Sequence, residues 1–319
     1  MAGDTADALH DPAPAPFAWM EGRTLVRPHG GCEAGCGRGP SSERIELPFA
    51  AMKCLGLIGG IGWESTATYY RILNESVRHR FGSLYTARLL INSLDFQEID
   101  SLVKANRWND AGAILADAAR VLEKAGAEGV VICSNLMHYV AEHVEAAVEI
   151  PLLHLGDAVL KELRAARCTR VGLLGTRFTL EHDFLLERPR QTPATGRPRK
   201  PIVVVRPAER DLDQLDRIIY GEVCRGIVRE ASRETLLRLG RQLRADGSQA
   251  IVLGSSELGL LLKPDDFAEP ILDSTEVHAL AAARWLTDSK VLSSARSSPE
   301  VESGSRPPGK RATLPRENG

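Results

Sequence analysis

The chain has 319 residues, 43% of them hydrophobic, 26% charged and 5% aromatic, enough for two domains with cores of real size. Its 40 basic and 42 acidic residues nearly cancel, and the net charge of −2 gives no electrostatic case for nucleic acid or an anionic membrane surface. No run of about 18 apolar residues occurs, which excludes a spanning helix, and six cysteines in so long a chain do not make a disulfide framework.

Residues 1–51 are rich in Pro, Gly and Ala without helical or strand period, and are expected to form a disordered extension. Asp4, Asp7 and Asp11 precede the first arginine, and no apolar segment suggests secretion, so a cytoplasmic location is expected. His29, Cys32 and Cys36 are three potential zinc ligands in a Gly-rich stretch. A closed site needs four, and none follows at suitable spacing, so no metal is expected. Met52, directly before the first strand, is a second candidate start.

From there the chain alternates short apolar runs with amphipathic stretches. KCLGLIG at 53–59 reads as a buried strand, and a helix opens at Glu64, Ser65 and Thr66. Strand ARLLINS at 87–93 leads to a helix through ILADAARVLEKAG, then strand EGVVIC at 128–133. Further strands are expected at 150–155, 170–176, 203–206 and 249–254, with helices between. Strands separated by helices imply crossover connections and mainly parallel sheets covered on both faces. The class is α/β. From about Ser289, Ser, Pro, Gly and charge dominate, and 289–319 is expected to be a disordered tail.

The chain also repeats itself. CLGLIGG at 54–60 resembles RVGLLGT at 170–176, aligning Gly56 with Gly172 and Gly59 with Gly175. GAEGVVICSN at 126–135 resembles GSQAIVLGSS at 247–256, placing Ser134 opposite Ser255. The two matches run in the same order at similar spacing. This predicts two similar doubly wound halves related by a pseudo-twofold axis, with a cleft between them. Half one is 52–155, joined by a C-terminal helix at 274–288, and half two is 156–273. Ligands of open parallel sheets bind beyond the carboxyl ends of the strands, so the two serines would stand on opposite walls of that cleft.

GLIGGIGWESTATYYRILNE, NSLDFQEI, CSNLMH, IPLLHLGDA, VGLLGTRFTLEHDF, DRIIYGEVCRGI, GSSELGLLL and LDSTEVHALAA, in this order, resemble segments of the aspartate/glutamate racemase superfamily, in its amino-acid racemase branch, over about 52–288. The resemblance implies cofactor-independent isomerisation. A thiolate takes the α-proton from one face and a thiol delivers one to the other, while donors spread the charge that develops on the substrate carboxylate. It also implies a small amino-acid or carboxylate substrate and a possible homodimer, with no nucleic-acid or membrane partner.

The sequence departs from that pattern where the chemistry sits. Ser134-Asn135-Leu136 stands where many members have Cys-Asn-Thr, and Gly254-Ser255-Ser256-Glu257 where they have Gly-Cys-Thr-Glu. Ser134 and Ser255 are therefore the candidate catalytic pair. A serine hydroxyl is a much weaker acid than a thiol and needs an adjacent base. Gly60, Asn135, Thr176, Gln214 and Ser256 are candidate substrate-binding residues. Gln214 falls, by ungapped matching, near a substrate-facing lysine of relatives. His138 is expected to orient the loop after its strand. Cys133 is expected to point away from Ser134 into a core, and Cys54, Cys168 and Cys224 to be packing residues. The loop at 188–201 carries Pro, Gly and five basic residues and is expected to be exposed. Two functions follow: a racemase-type isomerase acting on aspartate, glutamate or a related amino acid, or an inactive relative that binds a small amino or carboxylic acid. No G-x-G-x-x-G with a following acidic residue supports a nucleotide site.

Overall fold

The computed structural model describes residues 52–182, 184–186 and 201–288. The expectations for 1–51, for 289–319 and for nearly all of 188–201 lie outside the described residues.

Half one is built from β1 (Leu55–Gly59), α1 (Trp63–Phe81), β2 (Leu89–Ser93), α2 (Phe96–Lys104), α3 (Trp108–Lys124), β3 (Gly129–Ile132) and α4 (Ala141–Glu145). The connecting α5 (Leu155–Ala165) leads to half two: β4 (Arg170–Leu174), α6 (Arg177–His182), β5 (Val203–Val205), α7 (Glu209–Gly221), α8 (Glu230–Ala245), β6 (Ile251–Leu253) and β7 (Ile271–Asp273). The closing helix is α9 (Ser274–Thr287). The fold is α/β, with two parallel sheets.

The sheets repeat one topology. In the first, β1 lies between β2 and β3; in the second, β4 lies between β5 and β6, with β7 beyond β6. All pairings are parallel, with Leu57 opposite Ile91 and Val131, and Leu173 opposite Val252. The repeated glycine explains itself physically. A Cβ on Gly56 would stand 3.1 Å from Leu122 Cβ on α3, and one on Gly172 would stand 3.0 Å from Leu243 Cβ on α8. In each half the bare central strand lets the helix before the third strand pack closely.

Alternation along the strands sorts the first sheet's faces. Ile58, Val130 and Ile132 pack toward α3, whereas Leu55, Leu57, Val131 and Cys133 pack with Tyr69, Leu73 and Val77 of α1. Ala279, Ala282, Ala283 and Leu286 of α9 join that second cluster, so the last helix packs on half one. Each fully buried large side chain contributes about 1.5–3 kcal/mol. Polar contacts fix the helix pair: Tyr69 Oη and His278 Nδ1 lie 2.7 Å apart, and Arg80 donates to Thr287 Oγ1 at 2.7 Å. Half two has its own core around Val171, Leu173, Leu215, Leu239 and Val252.

The elements differ from the sequence expectation in three places. The run at 150–155 shrinks to a bridge between Val130 and Leu152. The three-residue β7 takes the corresponding place in the second sheet, too short to signal itself in sequence. Cys224 is exposed rather than a packing residue, since it lies on the short turn at 223–225 that follows α7.

Polar and aromatic contacts join the halves at the ends of the strands. Asn135 Nδ2 donates to Ser274 Oγ (2.7 Å), which donates to the Leu253 carbonyl at the end of β6 (2.5 Å). In addition, Trp108 of α3 stacks on Phe178 of α6, with centroids 4.5 Å apart, and Tyr139 meets Phe178 edge-on at 4.9 Å.

Candidate active site

Ser134 follows β3 by two residues and Ser255 follows β6 by two residues, and both are buried. The Asn135–Ser274–Leu253 chain of hydrogen bonds ties the loop after β3 to the end of β6, so both serine-bearing turns lie on one seam between the halves.

The two serines have different neighbours. Ser255 Oγ donates to Glu257 Oε2 at 2.7 Å. Among the described residues, nothing bonds Ser134 Oγ. The Ser134 carbonyl is 2.8 Å from His138 Nδ1, and His138 Nε2 accepts the Leu155 N–H at 3.2 Å. With Nε2 accepting from Leu155, Nδ1 is the nitrogen that donates to the Ser134 carbonyl. His138 therefore orients the turn and offers Ser134 no base. Cys133 is fully buried, and burial holds its thiol firmly protonated, so it is no substitute for a catalytic thiolate.

The remaining candidates are largely committed to the protein itself. Asn135 donates to Ser274, and its Oδ1 accepts from Thr275 Oγ1 at 3.4 Å. Thr176 caps α6: its Oγ1 accepts the Thr179 N–H at 3.2 Å and lies 3.0 Å from Thr179 Oγ1. Gly60 has φ +84°, and a Cβ there would come within 2.1 Å of the Leu94 carbonyl oxygen, so the position admits only glycine. Its N–H is taken by Thr66 Oγ1 at 2.9 Å. Ser256 is partly exposed and lines a cavity of about 770 Å³ beside α1 and α9.

Gln214 turns toward α8, donating to Thr235 Oγ1 at 3.2 Å. The α7 residues that bind Arg177 of α6 are Asp213 and Asp216. Asp213 binds the Arg177 side chain at 2.8 Å, and Asp216 accepts the Arg177 N–H at 2.8 Å. Burial pushes the Tyr220 hydroxyl up to about 12, even though its hydrogen bond with Thr176 pulls the other way. Arg177 is saturated by Glu181, Glu209 and Asp213.

Several residues that sequence reasoning passed over belong here. Glu257 was visible only as the last letter of its motif. Ser274 and Thr275 follow Asp273, whose side chain accepts from the Thr275 and Glu276 N–H groups and starts α9. Burial pushes the Asp273 carboxyl up to about 6, with Glu276 and Glu257 adding to the rise. Desolvation pushes the Cys224 thiol up to about 12, with the Glu257 and Glu64 carboxylates adding to the rise.

The arrangement is a seam between duplicated sheets with one hydroxyl from each. The sequence model of the Asp/Glu/hydantoin racemase family matches residues 58–282. The chain belongs to that family. Among solved structures it is similar to a provisionally assigned Asp/Glu racemase from Yersinia pestis, with 42% identity over 74% of this chain and 100% of that one, at a TM-score of 0.67. It is also similar to an aspartate racemase homologue from Pyrococcus horikoshii, with 31% identity over 74% and 100% of the two chains and a TM-score of 0.63. An aspartate racemase from Picrophilus torridus shares the fold at 19% identity, over 73% and 94%, with a TM-score of 0.56. Family membership makes this chain racemase-like. No described helix is long and apolar enough to cross a membrane.

Proposed function

We propose that this racemase-family protein catalyses cofactor-independent α-proton exchange on aspartate, glutamate or a related amino acid, with Ser134 and Ser255 in the two acid/base positions. The observation that carries the reading is the Asn135–Ser274–Leu253 hydrogen-bond chain, because it holds the two serine-bearing turns on one seam. A substrate there needs donors for its carboxylate as negative charge moves onto it. No described residue accepts from the backbone N–H groups of Asn135 and Leu136, or from those of Ser256 and Glu257. These four amides open the two turns and are the donors assigned to the carboxylate. Gly60 and Thr176 are assigned to the walls of that seam.

The second reading, a binding protein without turnover, is favoured by one observation: Ser134 Oγ has no base among the described residues. Solvent deuterium incorporation at the α-carbon, measured across both enantiomers of a panel of amino acids, separates the two. Exchange with any member supports the enzyme, and tight binding with no exchange supports the binder.

A further inference from the structure

From the unequal surroundings of the two serines, we infer that the proton exchange is one-sided: Glu257 acts through Ser255 as a proton acceptor on one face, and the Ser134 face is slow. The inference rests on the proposed function and adds an identified positioning residue and a stereochemical consequence. A serine hydroxyl removes a carbon-bound proton only when its own proton has somewhere to go. Glu257 Oε2, 2.7 Å from Ser255 Oγ, is that destination.

The step balances. The substrate α-C–H bond breaks, its proton passes to Ser255 Oγ, and the serine's own proton passes to Glu257 Oε2. The bonding pair moves into the substrate carboxylate, which becomes enolate-like. Reversal returns a proton to the same face, with no oxidant or co-reactant. Glu257 also lines the cavity of about 770 Å³ between α1 and α9, together with Glu64, Ser65 and Thr275, so its proton exchanges with solvent between forward and reverse steps.

The other face has no such relay. His138 is bound on both ring nitrogens to backbone groups, and Cys133 is buried as a protonated thiol on the opposite side of its strand. A substrate enantiomer with its α-hydrogen toward Ser255 therefore gains solvent hydrogen many times before it inverts. An evenly matched pair of acid/base groups would instead place solvent hydrogen mainly in the inverted product.

The test incubates the full-length protein in D2O with each separate enantiomer of aspartate, glutamate and a wider amino-acid panel, reading deuterium in recovered substrate and in inverted product. For one enantiomer, deuterium in recovered substrate should appear at least about tenfold faster than inversion. Glu257→Gln should slow that wash-in by about 10²-fold or more, the usual scale for one positioned acid/base group. Formate should restore part of it in Glu257→Ala, a rescue that a purely structural role would not give. If Glu257→Gln fails to fold, Ser255→Ala with the same isotope readout serves in its place. Deuterium confined to inverted product at equal rates from both enantiomers would overturn the inference and leave the proposed function standing. Full wash-in by Glu257→Gln would overturn it too. No exchange with any amino acid would sink both.

Discussion

Asn135 and Ser274, 139 positions apart, meet through a 2.7 Å hydrogen bond from the Asn135 amide to the Ser274 hydroxyl. Ser274 is fully buried and passes its own proton to the Leu253 carbonyl. One hydroxyl thus couples the turn after β3, the end of β6 and the first residue of α9. Removing either side chain leaves a buried polar group unsatisfied, which costs about 1–3 kcal/mol. Ser274→Ala and Asn135→Ala should each lower stability on that scale. Their double-mutant cycle should show coupling, and both should depress α-proton exchange. Urea titrations that give additive losses would show that the bond carries no energy.

The aromatic contacts hold the halves together independently of that bond. Trp108 stacks on Phe178 with rings inclined by 28°, and Phe178 stacks on His182 at 3.9 Å. A cycle of Trp108→Ala and Phe178→Ala should return a coupling of about 0.5–1.5 kcal/mol beyond the separate burial losses. A coupling near zero would mean that the two rings pack on their own halves only.

The pH dependence of stability follows from two residues of the α9 region acting in opposite directions. His278 donates from Nε2 to the Leu153 carbonyl at 2.6 Å and accepts from Tyr69, and burial lowers its pKa to about 4. Its contribution is present above the unfolded value near 6.5 and is lost as pH falls through about 4. Asp273 is raised to about 6, so its contribution is present below the unfolded value near 3.8 and is lost as pH rises through about 6. Each amounts to about 3 kcal/mol, and between pH 4 and 6 they offset one another. Asp273→Asn keeps a good helix cap and removes one of them. Its unfolding free energy should therefore climb by about 3 kcal/mol from pH 4 to 7, where the parent changes much less. A flat profile in the variant would refute the role given to His278.

Gln214 supplies a prediction of independence. Its side chain is spent on Thr235 and α8, so Gln214→Ala should leave α-proton exchange within about twofold while costing no more than the ~1 kcal/mol of one partly exposed hydrogen bond. A large loss of exchange would show that the residue reaches substrate after all.

Gln214, placed by counting along the chain, has its side chain turned toward α8. Successive residues of a helix point about 100° apart, so a one-residue error in counting along α7 sends a side chain from the seam to α8. The strand alternation was legible because burial writes itself into the period of the residues. Gly56 and Gly172 announced the duplication for a similarly local reason: each meets a helix that leaves no room for a Cβ. Ser134 and Ser255 stand out in the sequence because the internal repeat aligns them, each two residues beyond its strand. The Asn135–Ser274 bond had no local signal, since its partners belong to different halves. Glu257 lay in plain view, but only its distance to Ser255 Oγ gives it a role.

The central claim is that the seam presents one acid/base group to each face of a substrate α-carbon. Converting both serines to cysteine tests it most directly, because a thiol is a far better proton carrier at neutral pH than a hydroxyl. Solvent deuterium incorporation should rise by about 10²-fold or more in the Ser134→Cys, Ser255→Cys double variant. Inversion should then keep pace with wash-in, and each single change should give less than the pair. A double variant that unfolds cooperatively like the parent, binds aspartate or glutamate, and exchanges no faster would contradict the claim.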